Sequence, residues 1–206
     1  MSELGALERF AMRSRRARRA REGAVCELCA APIGEPHRHI VDRTDRRLLC
    51  ACAACVFLFP DDSASRYRAV PTRPRHDPSW TLTEEELTRL GVPVGLVFFF
   101  RAETLSRWVA VFPSPAGATE ADLPDHSWDP IVESSPLVRT MKADVEGLLV
   151  HRKRSGETFT LVAPIDACYA LTAVLRTKWK GIDGGDDVRV AVDEFLGRLA
   201  AAAVAS

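Results

Sequence analysis

Four cysteines stand in two short pairs, Cys26-x2-Cys29 and Cys52-x2-Cys55, with 22 residues between the pairs. A thiolate is a soft anionic ligand, and two thiolates three positions apart can meet one ion from a single turn of chain. Two such turns supply the four sulfurs of a tetrahedral site, so metal binding is the chemistry this spacing predicts. Zn2+ suits soft thiolates in four-coordination and is the expected ion.

Iron in a rubredoxin-like site uses the same four ligands. Knuckles of that type carry a glycine soon after the second cysteine, which lets backbone amides approach the sulfurs. Here Ala30 and Val56 take those places, and the expectation tilts towards zinc. Three more residues lie within reach of the quartet in sequence. Cys50 precedes Cys52 by two, and His37 and His39 sit in the intervening EPHRH. We read Cys50 as a small buried hydrophobe, and the histidines as strand residues facing solvent or bonding the sulfurs. Two alternatives stay open: one of the three replaces a cysteine as ligand, or together they form a second site.

Around this motif lies a chain of 206 residues, enough for one domain plus a small module or for one larger domain. Hydrophobic residues make up 47% and charged residues 27%, the profile of a globular protein. The net charge is zero, so no global field argues for nucleic acid or membrane. The 24 Arg against 4 Lys, with abundant Ala, read as the codon bias of a GC-rich genome. No segment approaches the roughly 20 apolar residues of a membrane span. The N-terminus carries Glu and Arg where a signal peptide needs apolar residues. A cytoplasmic location is expected, where cysteines stay unpaired as thiols or bind metal.

The elements that must position the site read as follows. Residues 1–24 form a basic helix, 25–59 the cysteine-rich module, 60–79 a linker or wrapping segment rich in Pro, Ser and charge, and 80–206 a larger body. The module is expected as a zinc ribbon or treble clef, a metal offsetting the poor core of so short a segment. In the body, Thr83 and Glu86 make a capping box for a short helix that Gly91 ends. Val94–Phe100 is an apolar run expected as a buried strand, joined through 102–106 to a second strand over Arg107–Phe112. PSPAG at 113–117 is turn chemistry. Glu146–Arg152 and Glu157–Val162 form a hairpin around Ser155–Gly156. Asp166 is the expected N-cap of a helix ending near Lys180. Val188, Val192, Phe195, Leu196 and Leu199 repeat at helical spacing in a last helix. The whole is α+β: a small metal module, then a mixed antiparallel sheet with packed helices.

The segments CELCAAPIGEPHRHIVDRTDRRLLCACAACVFLF, VPVGLVFFFR, VFPSPAGATE and APIDACYALTAVLRTKWKG together resemble an uncharacterised actinobacterial family of cysteine-rich proteins. Its members are commonly encoded beside nickel–iron hydrogenase genes. The resemblance covers roughly residues 5–200. It implies an accessory role in hydrogenase maturation, assembly or electron transfer, with hydrogenase subunits or maturation factors as protein partners.

Other residues offer weaker chemistry. Arg13, Arg15, Arg16, Arg18, Arg19 and Arg21 can track phosphates or dock on an acidic partner, so a nucleic-acid-binding zinc ribbon is an alternative. A solvated helix explains them equally well. Cys168, beside Asp166 and Tyr169, can be a reactive thiol if His126 or His151 folds close; a buried helical cysteine is the plainer reading. PSPAGATE at 113–120 can be an anion-holding loop before a helix, though it lacks the Gly and Lys pattern. Trp80, Trp108, Trp128 and Trp179 read as core packing. Asp122, Asp125, His126, Asp129, Asp144 and Glu146 read as a solvated acidic stretch, with a hard-metal site as the alternative. None of this assembles a catalytic constellation, and the expected role is binding rather than catalysis.

Overall fold

The computed structural model describes residues 24–61, 65–92, 95–124, 126–153, 155–181 and 184–205. The basic N-terminal segment expected as a helix lies outside them up to residue 23. The chain divides into two compact units, one ending at Ala69 and one beginning at Val70.

The first unit carries five of the six cysteines. Strands β1 (Arg38–Asp42) and β2 (Arg47–Ala51) form an antiparallel hairpin. A short helix α1 (Ala53–Leu58) follows, and β3 (Tyr67–Ala69) returns alongside β1, giving the order β2-β1-β3. Asp42 fixes the hairpin turn: its Oδ1 accepts from the backbone N–H groups of Thr44 and Asp45 at 3.1 and 3.4 Å. Arg66 then donates to both oxygens of Asp42, at 2.9 and 2.6 Å, and ties the entry of β3 to that turn. This guanidinium holds the buried Asp42 carboxyl below its ordinary range, against the effect of burial.

Strand alternation sorts the hairpin's side chains. Ile40 and Ala51 join Cys26, Cys55, Val56 and Ala69 in a small core. His39 and Cys50, directly opposed in the register, turn to the other face. The apolar run at 55–59 splits likewise: Cys55 and Val56 are buried, while Phe57 and Leu58 are 87% and 68% exposed. Phe59 packs edge-on against Tyr67.

The second unit is a seven-stranded sheet with helices. In chain order it holds β4 (Arg75–His76), α2 (Glu84–Arg89), β5 (Leu96–Ala102), β6 (Arg107–Ser114) and β7 (Gly117–Asp122). Then come α3 (Asp129–Ser134), α4 (Pro136–Arg139), β8 (Glu146–Arg152), β9 (Thr158–Pro164), α5 (Ile165–Lys178), α6 (Gly185–Ala201) and β10 (Val204–Ala205). The strand order is β10-β4-β9-β8-β5-β6-β7, antiparallel except for the β10–β4 pair. The fold class is thus α+β, a cysteine module followed by a mixed, mainly antiparallel sheet with packed helices.

Both faces of this sheet are covered, which explains the unbroken apolar run in β5. Val97 and Phe99 face one layer with Leu87 of α2, Ile131 of α3 and Leu137 of α4. Phe98 faces the other, edge-on to Tyr169 of α5 at 5.2 Å. Gly147 of β8 sits under α5, and a Cβ placed there would come within 3.0 Å of Cys168 Sγ. Buried Glu146 takes a 2.9 Å ion pair from Arg75, which also donates to the Thr140 hydroxyl at 2.8 Å.

Several sequence expectations hold in detail. The Thr83–Glu86 capping box is formed, and Gly91 takes φ +67° after α2. The β8–β9 hairpin pairs Glu146 with Pro164 through Arg152 with Thr158. Val188, Val192 and Leu196 are the buried stripe of α6. Two expectations need correction. Asp166 is not the N-cap of α5: the helix starts at Ile165 after Pro164, and Asp166 lies in its first turn. Residues 117–122 are strand β7 rather than a loop entering a helix; the β6–β7 ladder runs from Val109–Asp122 to the Ser114–Gly117 turn. The segment 60–79 contributes β3 to the first sheet and β4 to the second.

Candidate metal centre

The first cysteine pair lies on a closed turn. Cys26 N–H donates to Ala31 O at 2.8 Å, and Ala30 N–H to Cys26 O at 2.9 Å. Ala30 takes φ +61°, the left-handed region that favours glycine. The knuckle therefore adopts the backbone a glycine would ease, without having one. Glu27 joins the knuckle to β2: its N–H donates to Cys50 O at 2.8 Å, and its carboxylate accepts from Cys50 N–H at 2.9 Å.

The second pair sits at a helix start. Cys52 is the N-cap of α1, and its sulfur accepts from Cys55 N–H at 3.4 Å. This places both sulfurs on the first turn and satisfies a donor that the helix end leaves unpaired. Knuckle, hairpin and cysteine-bearing helix make the module treble-clef-like, of the two shapes expected.

The four sulfurs of Cys26, Cys29, Cys52 and Cys55 lie within 4.8 Å of one another. Cys29 Sγ and Cys52 Sγ are 3.7 Å apart. A tetrahedron with metal–sulfur bonds near 2.3 Å has edges of about 3.8 Å, so this cluster fits a single four-coordinate ion. Cys26 and Cys55 are buried, Cys52 is half-buried and Cys29 is exposed, so one edge of the site faces solvent. None of the six cysteines forms a disulfide.

Electrostatics mark the cluster as a charge-sharing unit. Burial disfavours a thiolate at Cys26, but backbone hydrogen bonds from Cys52, Cys29 and Leu28 and one from the Cys29 thiol outweigh it, bringing Cys26 down to about 6. Cys55 goes the other way. Hydrogen bonding with Cys29, burial, further bonds with Cys52 and Cys26, and the Cys26 charge push it up to about 12. The Cys26 thiolate thus forms easily and one at Cys55 is resisted beside it; a cation at the centre would offset that resistance.

His37, His39 and Cys50 also come together, as a separate group on the module, with ligand atoms within 4.8 Å of one another. None of the three belongs to the four-sulfur cluster.

The remaining candidates go to structural roles. Cys168 is buried in α5; burial first, then the charges of Asp166 and Glu146, push its thiol far up, which removes its nucleophilic character at neutral pH. His126 is exposed and pairs with Asp129 at 2.9 Å, and Asp122 pairs with Arg107. Asp144 accepts from Glu103 N–H at 3.1 Å, and Glu146 is held by Arg75; Asp125 lies outside the described residues. Trp128 stacks on Trp108 with centroids 4.4 Å apart, and Trp80 packs on the same core. Trp179 instead lines a cavity of about 570 Å³ with Leu96, Phe112, His151, Leu175 and Val192, which sequence reasoning missed because its walls come from five separate elements. Burial lowers the His151 pKa there, partly opposed by Asp193, whose Oδ1 lies 3.7 Å from Nδ1.

A family model described as "Family of unknown function (DUF5947)" matches residues 25–203. The chain belongs to this family. The family match begins next to Cys26 and takes in the cysteine module together with nearly all of the second unit. No curated protein and no solved structure matches the chain. No helix among the described residues is long and apolar enough to cross a membrane.

Proposed function

We propose that this protein is a metal-binding accessory protein that holds a structural zinc ion on Cys26, Cys29, Cys52 and Cys55 and acts by docking on a protein partner. The observation that carries the reading is the four-sulfur cluster, whose 3.7 Å Cys29–Cys52 edge suits one tetrahedral ion. The module's core of buried residues is small, so an ion that binds only the folded form supplies stability the side chains lack. Exposed Phe57 and Leu58 on α1, in the same turns as Cys55, support a partner surface beside the metal. The sequence resemblance points to nickel–iron hydrogenase subunits or maturation factors as that partner, in a cytoplasmic setting.

Rubredoxin-like iron is the second reading. The glycine-like φ of Ala30 supports it, because the knuckle conformation such sites use is present despite the missing glycine. Metal analysis with an absorption spectrum separates the two. A colourless protein with tightly held zinc agrees with the first; a red protein that bleaches on reduction replaces it with the second. Co-purification with hydrogenase subunits or maturation factors under gentle conditions tests the partner, and its repeated absence would count against the docking role.

A further inference from the structure

We propose a second metal site on the same module, formed by His37, His39 and Cys50, which takes a divalent transition ion of borderline softness. Three observations converge. The ligand atoms of the three residues lie within 4.8 Å of one another. The hairpin register sets His39 directly opposite Cys50, and His37, just before β1, brings its ring beside that of His39. The side chain of His37 is only 12% exposed, and both of its ring nitrogens are buried without a hydrogen bond. Apart from an ion-pair contact with exposed Glu35, this buried imidazole is unsatisfied, and an ion at this face would satisfy the nitrogen that Glu35 leaves open.

The neighbourhood fits that role. The rings of His37 and His39 are 4.9 Å apart and tilted at 59°, so they converge rather than stack. Glu35 Oε1 lies 3.2 Å from His37 Nδ1, the position of a carboxylate that orients a metal-bound imidazole. Cys50 is anchored by Glu27 on both its N–H and its C=O, which holds its backbone in place opposite His39. Nitrogen and sulfur ligands on one tetrahedral ion lie about 3.3–3.6 Å apart, so the group closes on an ion by modest side-chain rotation. Two imidazoles and one thiolate suit zinc, cobalt or similar ions. Three protein ligands leave a fourth place for water or an incoming ligand, the arrangement of exchangeable rather than closed sites. The two sites therefore divide the module's work: the four-sulfur ion is held, and the ion on the opposite face of the hairpin exchanges.

Co2+ titration of the metal-free full chain, followed by visible absorption, and zinc stoichiometry after loading with excess Zn2+ test this. The wild type should take two equivalents, the second more weakly and removable by a mild chelator. Cys50→Ser and the double variant His37→Gln/His39→Gln should each stop at one equivalent and keep the four-thiolate cobalt spectrum, which shows the module still folded. A wild type that saturates at one equivalent overturns the proposal, as does a second equivalent that both variants retain. The four-thiolate spectrum reads the other site separately: a wild type that shows it at one equivalent and takes no second ion overturns this proposal while leaving the four-sulfur reading in place.

Discussion

Cys55 keeps its proton to about 12 because the neighbouring thiols bond to it and burial and the Cys26 charge oppose a second thiolate. Cys26 loses its proton near 6. At neutral pH an incoming ion must therefore displace at least the Cys55 proton. Affinity should rise as pH rises, by about tenfold per pH unit for each proton displaced. Calorimetric titration in two buffers of different ionisation enthalpy should show proton release; buffer-independent heats would contradict it. Asp42 sets a second pH dependence. Its folded-state pKa is depressed, first by Arg66, so its contribution is complete above the unfolded value of about 3.9 and is lost as pH falls through the folded one. Asp42→Asn should flatten the acid limb of the module's melting curve; an unchanged limb would place acid sensitivity elsewhere. At Ala30 a side chain occupies left-handed backbone. Ala30→Gly should raise stability by about 0.5–1 kcal/mol, measured by denaturant unfolding of the metal-loaded chain, because relief of the Cβ clash exceeds the added unfolded-state entropy. A loss of stability would show that the knuckle is not strained there.

Strand β8 and helix α5 meet at a glycine, and this contact carries the element-scale test. Gly147→Ala would push its Cβ to 3.0 Å from Cys168 Sγ and 3.5 Å from Ile165 and Phe98. Overpacking of this kind should cost about 1–3 kcal/mol. Adding Cys168→Ala should recover part of that loss, and strict additivity of the two changes would show that the contact is not the cause. Glu146→Ala tests the residue just before Gly147, at the start of β8. It strands the Arg75 guanidinium, which is 20% exposed, and should cost about 3 kcal/mol in thermal or denaturant unfolding.

For the molecule as a whole, what the sequence disclosed followed from local rules. The cysteine spacing, the Thr83–Glu86 box, the two-sided apolar β5 and the β8–β9 hairpin each rest on residues adjacent in the chain. What it concealed depends on distant partners. Strand β7 is a polar sheet edge, GATEAD, whose pairing with β6 is invisible in composition. The His37–His39–Cys50 group stands in the sequence only as one of several alternatives, because it depends on register: a slip of one residue would turn His39 and Cys50 to opposite faces. Ala30 hides its left-handed backbone behind an ordinary side chain. Everything in the module turns on whether four cysteines, from the knuckle before the hairpin and the helix after it, hold one ion. Elemental analysis of the purified full chain, with its absorption spectrum, beside Cys29→Ser and Cys52→Ser, tests it most directly. The wild type should be colourless and hold zinc that resists mild chelation, and each variant should lose that ion and unfold the module. A folded wild type without bound metal, or variants that keep the wild-type stoichiometry, would contradict it.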